Sequence, residues 1–558
     1  MKDAYRRLDA SLAQPGSGDA AFAGGPRELR AWLEALPLAN ATVAAARMRD
    51  GLQALSGKPL DGMRRLQALE RVSATADGLA QGLVRQIAGS SFPLPAQKAE
   101  PGEFALALHG ELAAGFRAAL AGICAPAGQV PFLRGAQVAL AAMRALQHGA
   151  AHLATAYLLY RVPPAGAWEA LHAVHAFVAG LRLDDRIVDG SSARFEYVQA
   201  LLLALANPYG CTQREQGELA AWIRVLAPHC RLRAGSGQVH EIAIPDADRG
   251  PGYLPDEQFG GRRDTPVLQM QPMLAFIEEQ MALALPGTRT VSFRQGGGTA
   301  LQVDAGLAWR SLAGWNGHSR ERVRVAGEST LDTVLGLHDL HFVLAGEEFD
   351  GFMRGIQGEA ISLSDADRAA PWRHRGRAAH AERIPAQVLD RSADGCRIVW
   401  ERGIGGNDAR ARVGELVGMA EHAAGEPAEW AIGVIRWLRI DDEGRVDAGI
   451  ERLAKRAWAV GVRVPEHART MRGLLLSTQG SAAVAARDAL LVPTEVDRAT
   501  QELDLFAPDR SNGTPGTAPP LRIECLRLLE AGSIHHHFAW TPAVGARTDN
   551  AGIPVAAT

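Results

Sequence analysis

The chain has 558 residues, 47% hydrophobic and 22% charged, with a formal net charge of −3 at pH 7. That length and apolar content require more than one packed core, and its 60 glycines and 30 prolines are too dispersed for a fibrous or disordered chain. The near-neutral balance argues against a dedicated DNA-binding protein, which carries a clear basic excess. Lys2, Lys58, Lys98 and Lys455 are the only lysines, so almost every cation is an arginine and arginine pairs at any spacing are common.

Met63, Leu66, Leu69, Val72, Leu79, Leu83 and Ile87 recur at steps of three, four or seven, which predicts a helix with one buried face. Further helices are expected within 103–122, 132–160, 167–182, 193–206 and 212–226, punctuated by Pro126, Pro163–Pro164, Asn207–Pro208 and Pro228. The most apolar stretch, Gln137 to Tyr160, carries Arg144, Gln147, His148 and His152 and is too polar to span a membrane. Nor does the N-terminus have the apolar run of a signal peptide. A polar segment, 245–264, reads as a long loop, and helix resumes near Pro272–Leu285 and Thr299–Trp315. The cysteines Cys124, Cys211, Cys230, Cys396 and Cys525 form no C-x-x-C, so neither a zinc cage nor a disulfide framework is expected.

After about residue 317 the period changes. Segments 386–390, 396–400, 430–440, 446–453, 486–493 and 521–530 read as strands separated by Gly-rich or Asp-rich turns, and 508–520 reads as a loop. In 430-WAIGVIRWLRI-440 apolar residues fall on both sides, as in a strand of a small barrel. Trp400, Trp430 and Trp437 are expected in its core.

The sharpest local motif is 390-DRSADG-395, a D-x-S-x-x-G between two strands. Asp and Ser cap backbone amides in turns and Gly accepts unusual backbone angles, so an ordinary hairpin accounts for it equally well. Three downstream segments give the motif its weight: 412-RVGELVGM-419, 430-WAIGVIRWLR-439 and 446-VDAGIERL-453, in that order. Together these segments resemble the PilZ domain, a small β-barrel receptor for cyclic di-GMP, from about Asp390 to Leu453. The helical first half, including 163-PPAGAWEALH-172, is similar to the N-terminal region of some large bacterial PilZ proteins.

The resemblance implies cyclic di-GMP as ligand, with Asp390 and Ser392 hydrogen-bonding a guanine and Gly395 shaping the turn. It also implies an R-x-x-x-R pair ahead of the first barrel strand. Guanidinium groups suit this ligand, since they bind phosphate or the guanine Hoogsteen edge bidentately and stack on bases. Two pairs have the spacing: Arg320 with Arg324, and Arg373 with Arg377. Topology leans to Arg320 and Arg324, which then require a helical insertion around 336–349; with about five R-x-x-x-R matches arising by chance in so arginine-rich a chain, spacing alone selects neither.

The histidines offer a rival chemistry. His148, His152, Glu169 and His172 fall on neighbouring predicted helices, but a carboxylate-bridged helical metal site uses two E-x-x-H motifs and only one is visible. No metal is therefore expected. His535, His536 and His537 alternate across a strand, so they cannot converge on one ion, and a solvated or edge strand is expected. No P-loop or nucleophile-elbow motif is present, and 295-QGGGTA-300 lacks the lysine of a phosphate loop.

The expected architecture is multidomain α + β: an α-helical N-terminal array or bundle (1–316), a PilZ-like antiparallel β-barrel with a helical insertion (317–456), a β-rich C-terminal domain (457–545) and a disordered tail (546–558). The expected function is that of a cytoplasmic, non-enzymatic cyclic di-GMP effector that engages an unidentified protein partner through its helical domain, in motility, attachment or biofilm control. It would use no other cofactor, no DNA and no membrane span. The alternative is a scaffold or chaperone-like adaptor whose barrel no longer binds ligand.

Overall fold

A computed structural model describes residues 2–10, 25–235, 242–245, 247–253, 266–284, 288–294, 300–317, 325–327, 329–357, 381–401, 411–421, 429–465, 467, 469–477, 489–508, 520–523, 526–532, 534–540, 547–548 and 554–555. The chain divides into two compact units, residues 1–90 with 94–320 and residues 91–93 with 321–558.

The helical periodicity of the first unit is realised as α1 (Lys2–Ala10), α2 (Pro26–Glu34), α3 (Ala41–Ser56), α4 (Gly62–Ile87), α5 (Ala96–Cys124), α6 (Gly135–Leu158), α7 (Ala167–Gly180), α8 (Ala193–Leu205) and α9 (Gln213–Leu226). The starts are set by short polar side chains. Asn40, Asp61 and Ser192 each accept a hydrogen bond from the backbone N–H three residues on, at 3.2, 2.9 and 3.2 Å, and Thr212 with Glu215 forms a reciprocal capping pair. Leu66, Leu69, Val72, Leu79, Leu83 and Ile87 of α4 are all buried, each worth roughly 1.5–3 kcal/mol of removed apolar surface. At the crossing of α4 and α5 a Cβ on Gly62 would lie 2.2 Å from the Ile123 backbone nitrogen, so only glycine fits.

The helices expected near 272–285 and 299–315 are present, but short strands stand between and before them, one of them inside the second expected helix and one inside the expected loop at 245–264. Strands β1 (Arg231–Ala234), β2 (Ile242–Ala243), β3 (Gly252–Tyr253) and β4 (Pro266–Gln269) form an antiparallel sheet in the order β1-β4-β2-β3, and β5 (Thr290–Phe293) pairs with β6 (Leu301–Asp304). Two to four residues are too few to carry a period-2 signal. Helices α10 (Gln271–Ala282) and α11 (Ala305–Trp315) complete the unit, the latter capped by Asp304.

The second unit opens with β7 (Val325–Ala326) and β8 (Thr330–Leu335), then the inserted helices α12 (Leu337–Ala345) and α13 (Phe349–Gln357). Next come five strands: β9 (Ile384–Ser392), β10 (Gly395–Trp400), β11 (Leu416–Glu421), β12 (Ala431–Ile440) and β13 (Val446–Ala454). With β8 they close a six-stranded antiparallel barrel in the cyclic order β8-β9-β10-β13-β12-β11, and β7 pairs with Asp390 and Arg391 of β9, beyond the residues that β8 pairs with. Inside, Ile398 and Trp400 are fully buried, and the Trp400 indole donates to Thr333 Oγ1 at 2.8 Å.

A second antiparallel sheet is built from β14 (Arg456–Arg463), β15 (Met471–Ser477), β16 (Ala489–Pro493), β17 (Leu503–Phe506), β18 (Leu521–Ile523), β19 (Arg527–Ala531) and β20 (His535–Ala539), in the order β18-β17-β14-β15-β16-β20-β19. Its own core gathers Val460, Leu475, Leu490, Val492, Leu505, Phe538 and Trp540. Strands β14, β15 and β17 were not legible in the sequence, because continuous apolar runs buried on both faces lack the alternation that marks a strand. Leu474, Leu476 and Leu491 of this sheet pack with Leu416, Trp430 and Ile432 of the barrel and Leu340 of α12. That shared core explains why β12 is apolar on both sides. A two-residue ladder, β21 (Arg547–Thr548) with β22 (Pro554–Val555), ends the described chain. Among the described residues no helix is long and apolar enough to cross a membrane.

Candidate functional site on the barrel rim

Asp390, Ser392 and Gly395 lie together at the β9–β10 hairpin, with Ser392 paired to Gly395 across a two-residue loop. The Ser392 hydroxyl donates to the Gly395 carbonyl at 3.3 Å. Gly395 is required by packing: a Cβ there would sit 2.0 Å from the Ile450 carbonyl oxygen on β13. The same strand pins the loop, since Arg452 N–H donates to the Asp394 carbonyl at 2.7 Å and its guanidinium to the Ala393 carbonyl.

A bulge decides which way the carboxylate points. Val388 pairs with Ile398, but Asp390 pairs with Arg397, leaving Leu389 as the extra residue. Val388 and Ile398 are buried inside the barrel, so the bulge turns Asp390, and Ser392 two residues on, to the outer face. From there a row runs across four strands: Asp390 of β9 opposite Arg397 of β10, opposite Gly449 of β13, opposite Trp437 of β12. A second bulge, at Arg436, brings Trp437 into the row. Gly449 keeps the row open; a Cβ there would meet the Trp437 indole nitrogen at 1.9 Å.

Charge is arranged along the row. Arg397 is held bidentately by Asp447 at 2.9 and 2.7 Å, with its guanidinium 5.9 Å from the Trp437 ring; Arg439 lies 5.6 Å from the same ring. The hydrogen bonds from Arg397 to Asp447 raise the Arg397 pKa, and the Asp390 charge acts in the same direction. On the other face of β9, Arg391 donates to Glu421 at 2.8 Å and to Ser329 at 2.7 Å. Arg397, Asp447 and Trp437 escaped the sequence reading. Trp437, expected in the core, stands outside it, and the bulge that places it there has no signature in residue type. Trp400 and Trp430 are buried as expected.

Arg320, Arg324, Arg373 and Arg377 lie outside the described residues. The chain adjoining the first pair is described: Val325 pairs with Arg391 and Ala326 with Asp390. The chain after the second pair enters β9 at Ile384, six residues before Asp390, a separation of about 20 Å along a strand.

His148 and His172, from the rival histidine set, find other partners. His172 Nδ1 is 2.6 Å from the Tyr197 hydroxyl and its Nε2 is 2.9 Å from the Arg249 carbonyl, and His175 stacks on Tyr197. His148 meets Asp77 and His109 instead, from two other helices. The solvated or edge placement of His535–His537 is also corrected. Strand β20 is flanked by β16 and β19, and His535 and His536 are buried.

Burial also sets a pH dependence. His341 of α12, whose Nε2 is 3.2 Å from the Val460 carbonyl, and His535 are both pulled by burial from 6.5 down to about 4. The unfolded chain therefore takes up these protons first as pH falls below 6.5. Stability is full above that pH and is lost as pH drops towards 4, by about 2–3 kcal/mol per histidine. The urea midpoint of the full chain should fall clearly between pH 7 and 4.5; a flat profile would contradict this account.

Comparison with known proteins supplies the context. Residues 27–236 match the family model described as the N-terminal domain of the cyclic-di-GMP receptor FimW, and residues 364–458 match the model of its middle PilZ domain. The chain is 24% identical over 515 residues to the cyclic-di-GMP receptor FimW of Pseudomonas aeruginosa strain PAO1, a stretch covering 81% of each chain. The helical region and the barrel motifs thus find their counterparts in one relative, in the same order, and the chain belongs to the PilZ-domain cyclic di-GMP receptor family.

Proposed function

We propose that this protein is a cytoplasmic cyclic di-GMP effector whose ligand is held against the outer face of the barrel beside the β9–β10 hairpin. The observation that carries the reading is the row Asp390–Arg397–Gly449–Trp437, which sets a carboxylate, a guanidinium and an indole face on adjacent strands. A carboxylate can accept from guanine N–H donors, an indole can stack on the base, and guanidinium groups can take phosphate or the Hoogsteen edge. Asp390 and Ser392 are assigned to a guanine and Gly395 to the turn. Arg320 and Arg324 are assigned to the second half-site in preference to Arg373 and Arg377. Arg324 directly precedes Val325, whose strand pairs with the segment carrying Asp390, and both arginines lie ahead of β8, the first strand of the closed barrel.

Ligand binding would bias the protein between two states with different affinity for a protein partner on the helical unit. Phe132 and Leu133, 89% and 82% exposed in the loop before α6, support such an apolar contact surface. Motility, attachment and biofilm control are the outputs the family suggests.

Calorimetric titration of the full chain with cyclic di-GMP tests the reading: micromolar or tighter binding supports it, and no heat at high ligand leaves the scaffold alternative. Losing one bidentate charged contact costs about 1.5–3 kcal/mol, or roughly 10–150-fold in affinity. Arg320→Ala or Arg324→Ala should show that loss and Arg373→Ala should not; the reverse pattern would move the site to the other pair.

A further inference from the structure

Three polar side chains that the barrel does not use converge inside the helical unit. Asp77 comes from the middle of α4, His109 from α5 and His148 from α6. The Nδ1 atoms of His109 and His148 lie 3.7 and 3.5 Å from Asp77 Oδ1, and one donor atom of each residue lies within 4.8 Å of the others. These separations exceed the N···O distance of a good hydrogen bond. They suit donors sharing an ion: two atoms each about 2.1 Å from a metal at a tetrahedral angle stand about 3.4 Å apart.

The surroundings are those of a built site. His148 is 2% exposed and is sandwiched at 5.4 Å against the parallel ring of Phe116, while the His109 ring stacks on it from 6.2 Å, which fixes both imidazoles. Among the described residues His109 Nδ1 and His148 Nε2 are buried without a hydrogen-bond partner. A buried imidazole nitrogen without a partner needs some account, and a cation beside His109 Nδ1 supplies one. The neighbouring Arg144 makes its ion pairs with Glu70 and Asp189, although its charge also acts on Asp77. The Asp77 side chain remains 35% exposed, leaving a way in.

We propose that Asp77, His109 and His148 form a binding site for a divalent transition-metal ion of the zinc type, with one coordination position left to water. Two imidazoles and a single carboxylate select such an ion over calcium or magnesium, which take oxygen donors. The site uses none of the residues assigned to cyclic di-GMP, and it departs from the sequence-based expectation of no metal. That expectation looked for local spacing, whereas these ligands come from three helices.

The test uses the full chain stripped with a chelator and titrated with Zn²⁺ alone by calorimetry and with Co²⁺ by visible absorption. One equivalent of each should bind, Co²⁺ should show the d–d bands of a four-coordinate centre, and the thermal midpoint should rise with metal. Asp77→Asn, nearly isosteric, should lower affinity at least tenfold, and His148→Ala should abolish the Co²⁺ spectrum. Should His148→Ala fail to fold, Asp77→Asn decides. The assignment is overturned if the stripped wild type takes up no equivalent of Zn²⁺, or if Asp77→Asn binds Co²⁺ with wild-type affinity and spectrum.

Discussion

Replacing Gly395 with valine is expected to unfold the hairpin end of the barrel and abolish cyclic di-GMP binding. The new Cβ would stand 2.0 Å from the Ile450 carbonyl oxygen. Because that atom is backbone in the neighbouring strand, no rotamer change relieves the clash. Strand β13 would have to move away, breaking the 2.7 Å bond from Arg452 N–H to the Asp394 carbonyl. Overpacking against backbone costs about 3 kcal/mol or more, which for a unit of this size lowers the thermal midpoint by roughly 6–12 °C. Gly395→Ala should act in the same direction. An unchanged midpoint together with unchanged ligand affinity would show that the strands are not packed as described.

The second large effect is expected at the junction of the barrel and the second sheet. Arg436, the bulged residue of β12, donates bidentately to Glu530 of β19, with one of the two bonds at 2.8 Å, and also to Glu451. The Arg436 pKa is raised by these carboxylates against the opposing effect of burial, and the hydrogen bond from Arg436 holds Glu530 below its usual range. Glu530→Ala would leave a guanidinium half-buried with one partner. Stripping one member of a buried pair costs about 3–5 kcal/mol. Both side chains remain about a third exposed, 32% and 37%, so solvent screening reduces the expected loss to about 2 kcal/mol. Arg436→Ala should cost a similar amount, and the double variant should lose less than the sum of the singles by about 1 kcal/mol. Additive losses in urea unfolding would mean that the pair contributes nothing as a pair. The Glu530 contribution is full above the usual carboxylate range and declines as pH falls through its lowered value.

The relation of Asp390 to the rest of its row shows what a sequence can and cannot disclose. The motif from Asp390 to Gly395 was legible because the turn chemistry is local: a serine, a two-residue loop and a glycine lie within six residues. The helices of the first unit were legible for a related reason, since Leu66 to Ile87 recur with the period of one buried face. The inserted helix α12 was anticipated around 336–349 from the need to place a strand before it, and β8 occupies that place in the barrel; α13, at 349–357, lies beyond that stretch and was not anticipated.

The sequence alone therefore determined the long helices from α4 onward, most of the barrel strands and where the β9–β10 hairpin turns, because each depends on neighbours a few residues apart. Only the tertiary structure decided which face each functional side chain takes. Single-residue bulges at Leu389 and Arg436 shift every subsequent residue to the opposite side, and no residue type announces them. Packing between elements far apart in the chain did the rest: it buried His535 and His536 within a sheet and brought Asp77, His109 and His148 within reach of one another. Periodicity reports which face is apolar. It does not report what that face will meet.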